Sequence, residues 1–204
     1  MISKYYEINK HRDKINFYLF YGENEGLKLD TIKANFNNFT KENTYKYSEK
    51  DIIQNKQLIF EKIYSRSFFE NEKLILISDI TEKSFEFIEE VKNSNISDVI
   101  IILLANKLEK KSKIRNFFEK NNKTICVPFY EDNHQTLFQI IKNYLNEKKI
   151  NLSQENMNLI IERSRGNRVN LNNELSKIES LYLTRKDLKT EDIIKLTNLS
   201  ENYQ

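Results

Sequence analysis

Residues 15–30, INFYLFYGENEGLKLD, decide the fold. An apolar run, Phe17, Leu19 and Tyr21 alternating with Tyr18 and Phe20, ends at Gly22 and gives way to a helical run near Gly26. A strand that turns through glycine into a helix is the outline of a phosphate-binding loop. The working form reads G-x-x-x-x-G-K-[ST]: backbone amides wrap the phosphates, the lysine reaches the outer oxygens and the hydroxyl ligates magnesium. Here Gly22 and Gly26 stand one residue too close, Leu27 separates the second glycine from Lys28, and Leu29 offers no hydroxyl. Glu23 and Glu25 put negative charge where a triphosphate would lie. A helix N-terminus attracts anions, and this chain supplies its own. The segment predicts a nucleotide-fold frame that has lost its nucleotide and survives as the carrier of a binding surface.

Strands and helices alternate outward from this turn. Ile15–Tyr21 reads as a strand, Gly26–Phe39 as a helix and Thr44–Ser48 as a short strand. Ile52–Ser65 is a helix with Ile53, Phe60 and Ile63 among its apolar positions. Lys73–Ser78 is a continuous apolar strand, Lys83–Asn93 a helix with Phe87, Ile88 and Val91 on one side, and Asp98–Leu104 the most apolar strand. Leu108–Asn121 is a charged helix with Ile114, Phe117 and Phe118 inward, and Thr124–Val127 is a strand closed by Pro128. Continuous apolar strands separated by helices predict a parallel sheet covered on both faces. After Tyr130 the strands stop. A helix capped at Asp132 or Asn133, then Gln154–Ser164, Val169–Leu183 and Thr190–Thr197, predict a small all-α domain, with Arg165–Gly166–Asn167 as a helix end and turn. The expected domains are 1–133 and 134–204.

Composition narrows the class. No apolar run approaches the ~20 residues that span a bilayer. The start, MISKYYEINKHRDK, carries no secretion signal, and one cysteine cannot form an internal disulfide; a cytoplasmic protein is expected. Three glycines and one proline disfavour a turn-rich β-sandwich. With 33 basic and 30 acidic residues, the net charge of +3 is too balanced to indicate nucleic-acid binding by itself.

Individual residues add little catalytic chemistry. Asp79 ends a strand where an ATPase would hold its magnesium-binding acid, but Ile80 follows where a second acid would orient water. His134 beside Glu131 and Asp132 fits a helix cap better than a metal site, and Cys126 reads as core. No catalytic residue, cofactor or metal ligand is expected. Ser65–Glu72, SRSFFENE, places Phe68 and Phe69 side by side between a helix and a strand. Neighbouring side chains point in different directions, so both rings do not fit one core; one ring lies on the surface, or both form a plug for a partner. Lys107, Lys110, Lys111 and Lys113 read as a solvated face. Arg163, Arg165 and Arg168 at the Gly166 turn could touch phosphates, or pair with Glu162 or Glu174.

FYLFYGENEGL, SRSFFENEKLILI, VIIILLANKLEKKSK, TICVPFYED and RSRGNRVNLNNELSKIESLYL, taken in order, resemble the delta subunit of the bacterial DNA polymerase III clamp loader. The resemblance implies a degenerate P-loop, AAA+-like α/β domain with five parallel strands, followed by a small all-α lid domain. It implies no ATP binding and no intrinsic catalysis, in a subunit of a DNA-directed DNA polymerase (nucleotidyltransferase) holoenzyme. Ser67, Phe68 and Phe69 match the family's element that enters a pocket of the sliding clamp, the beta subunit. Other clamp-loader subunits and primed DNA, reached through the complex, are the remaining partners it implies, with no membrane. The family's third, collar domain would begin about where this sequence stops. Two rival readings stand beside it: a divergent P-loop nucleotide hydrolase, and a nucleic-acid-binding module using the arginine corner.

Overall fold

The computed structural model describes residues 1–12, 14–65, 72–94, 96 and 98–198. Five strands, β1 (Phe17–Gly22), β2 (Thr44–Ser48), β3 (Lys73–Ser78), β4 (Val99–Ala105) and β5 (Ile125–Phe129), form one sheet in the order β2-β3-β4-β1-β5. Every pairing is parallel, with Leu19 opposite Leu103 on one side and Cys126 on the other. Parallel neighbours need crossovers. These carry α1 (Glu25–Asn35), α2 (Glu49–Tyr64), α3 (Phe85–Asn93) and α4 (Lys113–Lys120).

Both faces of the sheet are covered, as the continuous apolar strands predict. On one face Phe17, Leu19, Ile75, Ile77, Ile101 and Leu103 pack with Ile59 and Ile63 of α2, Phe87 and Val91 of α3, and Phe118 of α4. On the other, Tyr18, Phe20, Phe36 and Phe129 meet ring to ring. The β5 edge is protected. Ser3 N–H donates to Cys126 O at 3.0 Å, Cys126 N–H donates to Met1 O at 2.9 Å, and Pro128 removes a further donor.

Helix α2 departs from its sequence reading. Ile52, Ile59 and Ile63 are buried, and Ile53, read as an apolar position of this helix, is 61% exposed. Ile52, Ile59 and Ile63, seven and four residues apart, share one helical face, and Ile53 stands about 100° round from it. At Asn55, φ of −152° and ψ of 71° interrupt the helix, and its side chain accepts from Leu58 N–H at 3.2 Å. The charged helix also begins later than read, at Lys113 rather than Leu108, because Ser112 is its N-cap.

The chain divides into two compact units: one made of Met1–Glu23 and Lys28–Tyr130, the other of Asn24–Leu27 together with Glu131 onward. The second holds α5 (His134–Lys148), α6 (Gln154–Arg163), α7 (Arg168–Thr184) and α8 (Thr190–Asn198). Its core joins Leu137, Ile141 and Leu145 to Ile160, Leu171, Leu175, Ile178 and Ile193. Asn133, Ser153 and Asn167 cap α5, α6 and α7, each accepting a backbone N–H three residues on.

Candidate functional site

The strand-to-helix turn after β1 is built around two glycines, and protein fills the space each leaves. Gly22 has φ of 128°, and a Cβ there would overlap the Phe129 carbonyl, lying 2.8 Å from its carbon. Gly22 N–H donates to Asn106 O at 3.2 Å, so this amide is committed to the end of β4. At Gly26 a Cβ would lie 2.7 Å from Arg168 Cβ and 3.0 Å from Val169 N. In a phosphate-binding loop the second glycine lets backbone approach the ligand. Here it admits the first turn of α7.

Asn24 caps α1, its Oδ1 accepting from Leu27 N–H at 3.0 Å. Its amide nitrogen donates to Asp132 Oδ2 at 2.9 Å. Arg168 grips the same carboxylate with Nε to Oδ2 at 2.7 Å and Nη2 to Oδ1 at 2.6 Å. The two charged side chains are only 10% and 5% exposed. This two-point pairing is the strong form of the arginine–carboxylate contact. In the other unit the ammonium of Lys28, 1% exposed, donates to Ala105 O at 2.8 Å. A lysine whose counterpart in a working loop reaches phosphate oxygens is here directed at a strand-end carbonyl. Glu23 and Glu25, read as the occupants of the phosphate position, are exposed, and the acid bound at the turn is Asp132.

Asp79 ends β3 in the left-handed region at φ of 60°, exposed, and its carboxylate accepts from Ser78 Oγ at 2.8 Å. Aspartate tolerates this conformation better than most residues. The acid that the sequence reading missed is Glu49, at the start of α2 and 8% exposed. It accepts from Thr81 N–H at 2.8 Å, from Thr81 Oγ1 at 2.8 Å and from Ser84 Oγ at 2.7 Å, tying α2 to the β3–α3 turn. Nothing in periodicity marks it, since its partners lie more than thirty residues away.

The arginine corner does not gather as one exposed cluster. Arg168 is committed to Asp132 rather than to Glu162 or Glu174, Arg163 is half-buried, and Arg165 is exposed at φ of 52° beside Gly166 at 71°. Glu174 pairs with Lys177 at 2.6 Å. Asp132 and Asn133, alternatives as the α5 cap, have separate roles: Asn133 caps and Asp132 holds Arg168. Among the described residues no group of three His, Cys, Asp or Glu side chains could hold a metal ion.

Ser67, Phe68 and Phe69 lie outside the described residues. The ends that flank them are held. Lys73, first residue of β3 and 3% exposed, turns its ammonium back on the end of α2, donating to Ser65 Oγ at 3.0 Å, to Ser65 O and to Lys62 O at 3.4 Å. Such a cation satisfies the last carbonyls of a helix and favours its negative end.

No family model matches this sequence, and no curated protein matches it at a significant level. Solved structures do match. The chain is similar to the DNA clamp loader delta protein of Bacillus subtilis, with a TM-score of 0.58 and 15% identity over 94% of this chain and 61% of that one. It is similar to domain III of the Thermotoga maritima replication initiation protein DnaA, at 0.55 and 16% over 94% and 87% of the two chains. It also matches the Thermotoga maritima RuvB Holliday junction branch migration motor, at 0.58 and 13% over 95% and 65%. It therefore spans less than two thirds of the clamp loader protein and of RuvB. At these identities the likeness is one of fold: a five-stranded, all-parallel α/β unit accompanied by a helical part.

Proposed function

We propose that this chain is a non-catalytic clamp-loader subunit of a replicative DNA polymerase holoenzyme, which binds the sliding clamp and favours its open form. The observation that carries the reading is an AAA+-like fold whose first turn is occupied by its own residues, with Gly26 against Arg168 and Arg168 on Asp132. A fold of this kind without an open phosphate turn fits a subunit that works by binding. The similarity in fold to a clamp loader delta protein supports the same choice. Ser67, Phe68 and Phe69, which follow α2 and precede β3 in sequence, are the clamp-binding residues, and Lys73 holds the ends of those two elements together. The other subunits of the loader supply ATP hydrolysis, and primed DNA is reached through the complex. The subunit opens the clamp only to the extent that it binds the open ring better than the closed one.

The test mixes the chain with the sliding clamp of the same organism, with and without magnesium–ATP, in a calorimetric titration. Binding is expected to be the same in both. Two buried Phe side chains contribute roughly 3–6 kcal/mol before ordering costs, so Phe68→Ala with Phe69→Ala should weaken the complex about 100-fold or more. Clamp affinity left unchanged by the double substitution would reject the site. ATP-dependent binding lost on Lys28→Ala would favour a nucleotide hydrolase instead.

A further inference from the structure

Residues 106–113, the β4–α4 connection and the first residue of α4, hold Lys107, Lys110, Lys111 and Lys113 against the single acid Glu109. Their charge of +3 equals that of the whole chain, so the rest of the protein is balanced and the excess sits here. Some cations elsewhere in the same unit have partners: Lys10 pairs with Glu7, Lys56 with Glu90 and Arg115 with Glu119, while Lys62 lies over Tyr45. Lys107, Lys110 and Lys113 are exposed and form no ion pair among the described residues. Lys111 pairs with Glu109 at 2.9 Å, but the two side chains are 87% and 68% exposed, so the pair holds little of the charge.

The backbone beneath these lysines is fixed. Leu108 packs on the core, Ser112 is buried and its N–H donates to Glu109 O at 3.0 Å. Asn116 Nδ2 donates to Lys110 O at 2.9 Å and Ser112 O at 2.8 Å, and Arg115 Nη1 to Leu108 O at 3.3 Å. The segment has no exposed large apolar side chain. It therefore lacks the wedge that enters a lipid surface and the aromatic anchor of a protein hot spot. What remains is a hydrogen-bonded ridge with one acid, Glu109, and unpaired lysines at three-residue spacing.

We propose that Lys107, Lys110 and Lys113 contact the phosphodiester backbone of duplex DNA without reading its sequence. The choice of occupant rests on the proposed role beside primed DNA. Affinity from such contacts comes from counterion release, with a slope of about −0.9 in log K against log salt per phosphate neutralised.

The test measures binding of the chain alone to a fluorescent 20-base-pair duplex at 50 and 200 mM NaCl. Replacing all three lysines (K107Q, K110Q and K113Q together) should flatten the slope by about 2.7, so that the wild-type chain loses roughly 40-fold more affinity across that range than the variant. A control with K50Q, K83Q and K142Q removes the same charge from exposed lysines elsewhere and should leave the slope nearly unchanged. Equal flattening by the control would overturn the assignment, as would equal lysine-dependent binding to anionic phosphatidylserine vesicles. Clamp binding is expected to survive in the triple variant. A chain that binds the clamp but keeps its salt slope in the variant sinks this inference alone. A chain that shows the slope change but ignores the clamp sinks the proposed function and leaves the DNA contact standing.

Discussion

The filled turn makes a quantitative demand on stability. Arg168 and Asp132 are 10% and 5% exposed, joined by two hydrogen bonds, and Asn24 spends its amide on the same carboxylate. Removing one member leaves the other charge buried without its partner, which costs about 3–5 kcal/mol. For a chain of 204 residues that corresponds to a fall in Tm of roughly 6–20 °C, at about 2–4 °C per kcal/mol. Arg168→Ala and Asp132→Ala should each show a loss of this order in urea denaturation followed by circular dichroism. The double variant no longer holds an orphaned charge. It should fall short of the sum of the singles by about 3 kcal/mol, the upper end of coupling for residues in contact. Strictly additive losses, or single losses below about 1 kcal/mol, would mean that the pair behaves as an exposed one. Arg168 and Asp132 would then not be the buried, mutually dependent pair that fills this turn.

Three further outcomes follow from named contacts. Gly22→Ala should cost about 2–4 kcal/mol in thermal melts, because its φ of 128° and the adjacent Phe129 carbonyl leave no room for a Cβ; a variant as stable as wild type would refute that close approach. Glu49→Ala should cost about 2–3 kcal/mol by leaving Thr81 N–H and Ser84 Oγ without their acceptor, and Glu49→Gln, which keeps one oxygen, should cost less. Burial, with a smaller contribution from Glu119, pushes the Cys126 thiol from 9.0 up to about 12, and burial likewise raises Tyr21 from 10.0 to about 12. Both groups are neutral acids in the fold, so their contribution is complete below pH 9 and is lost between pH 9 and about 12 as the unfolded chain ionises first. Stability by urea titration should decline across that window, and Cys126→Ala should remove up to about 1.4 kcal/mol per pH unit of the decline.

The β1–Gly22–α1 segment was legible because its information is local. Continuous apolar strands name a parallel sheet, and a glycine turn from strand to helix names the first β–turn–α unit. Helix phase was less legible: Ile52 and Ile53 are equivalent in an apolar count, and only packing on the sheet decides that Ile52, with Ile59 and Ile63, goes inward. The occupant of the turn was invisible, since Asp132 and Arg168 stand more than a hundred residues from Asn24 and look in sequence like a cap residue and one of three corner arginines. Glu49 was hidden for the same reason.

By itself, then, the amino-acid order determined the layered α/β architecture and the helical region after Tyr130, because each depends on periodicity or on residues within a few positions of one another. Tertiary structure alone decided what packs against the turn at Gly26 and which acids are buried with partners. Those outcomes turn on hydrogen bonds between distant segments, whose geometry exists only after the chain has closed on itself.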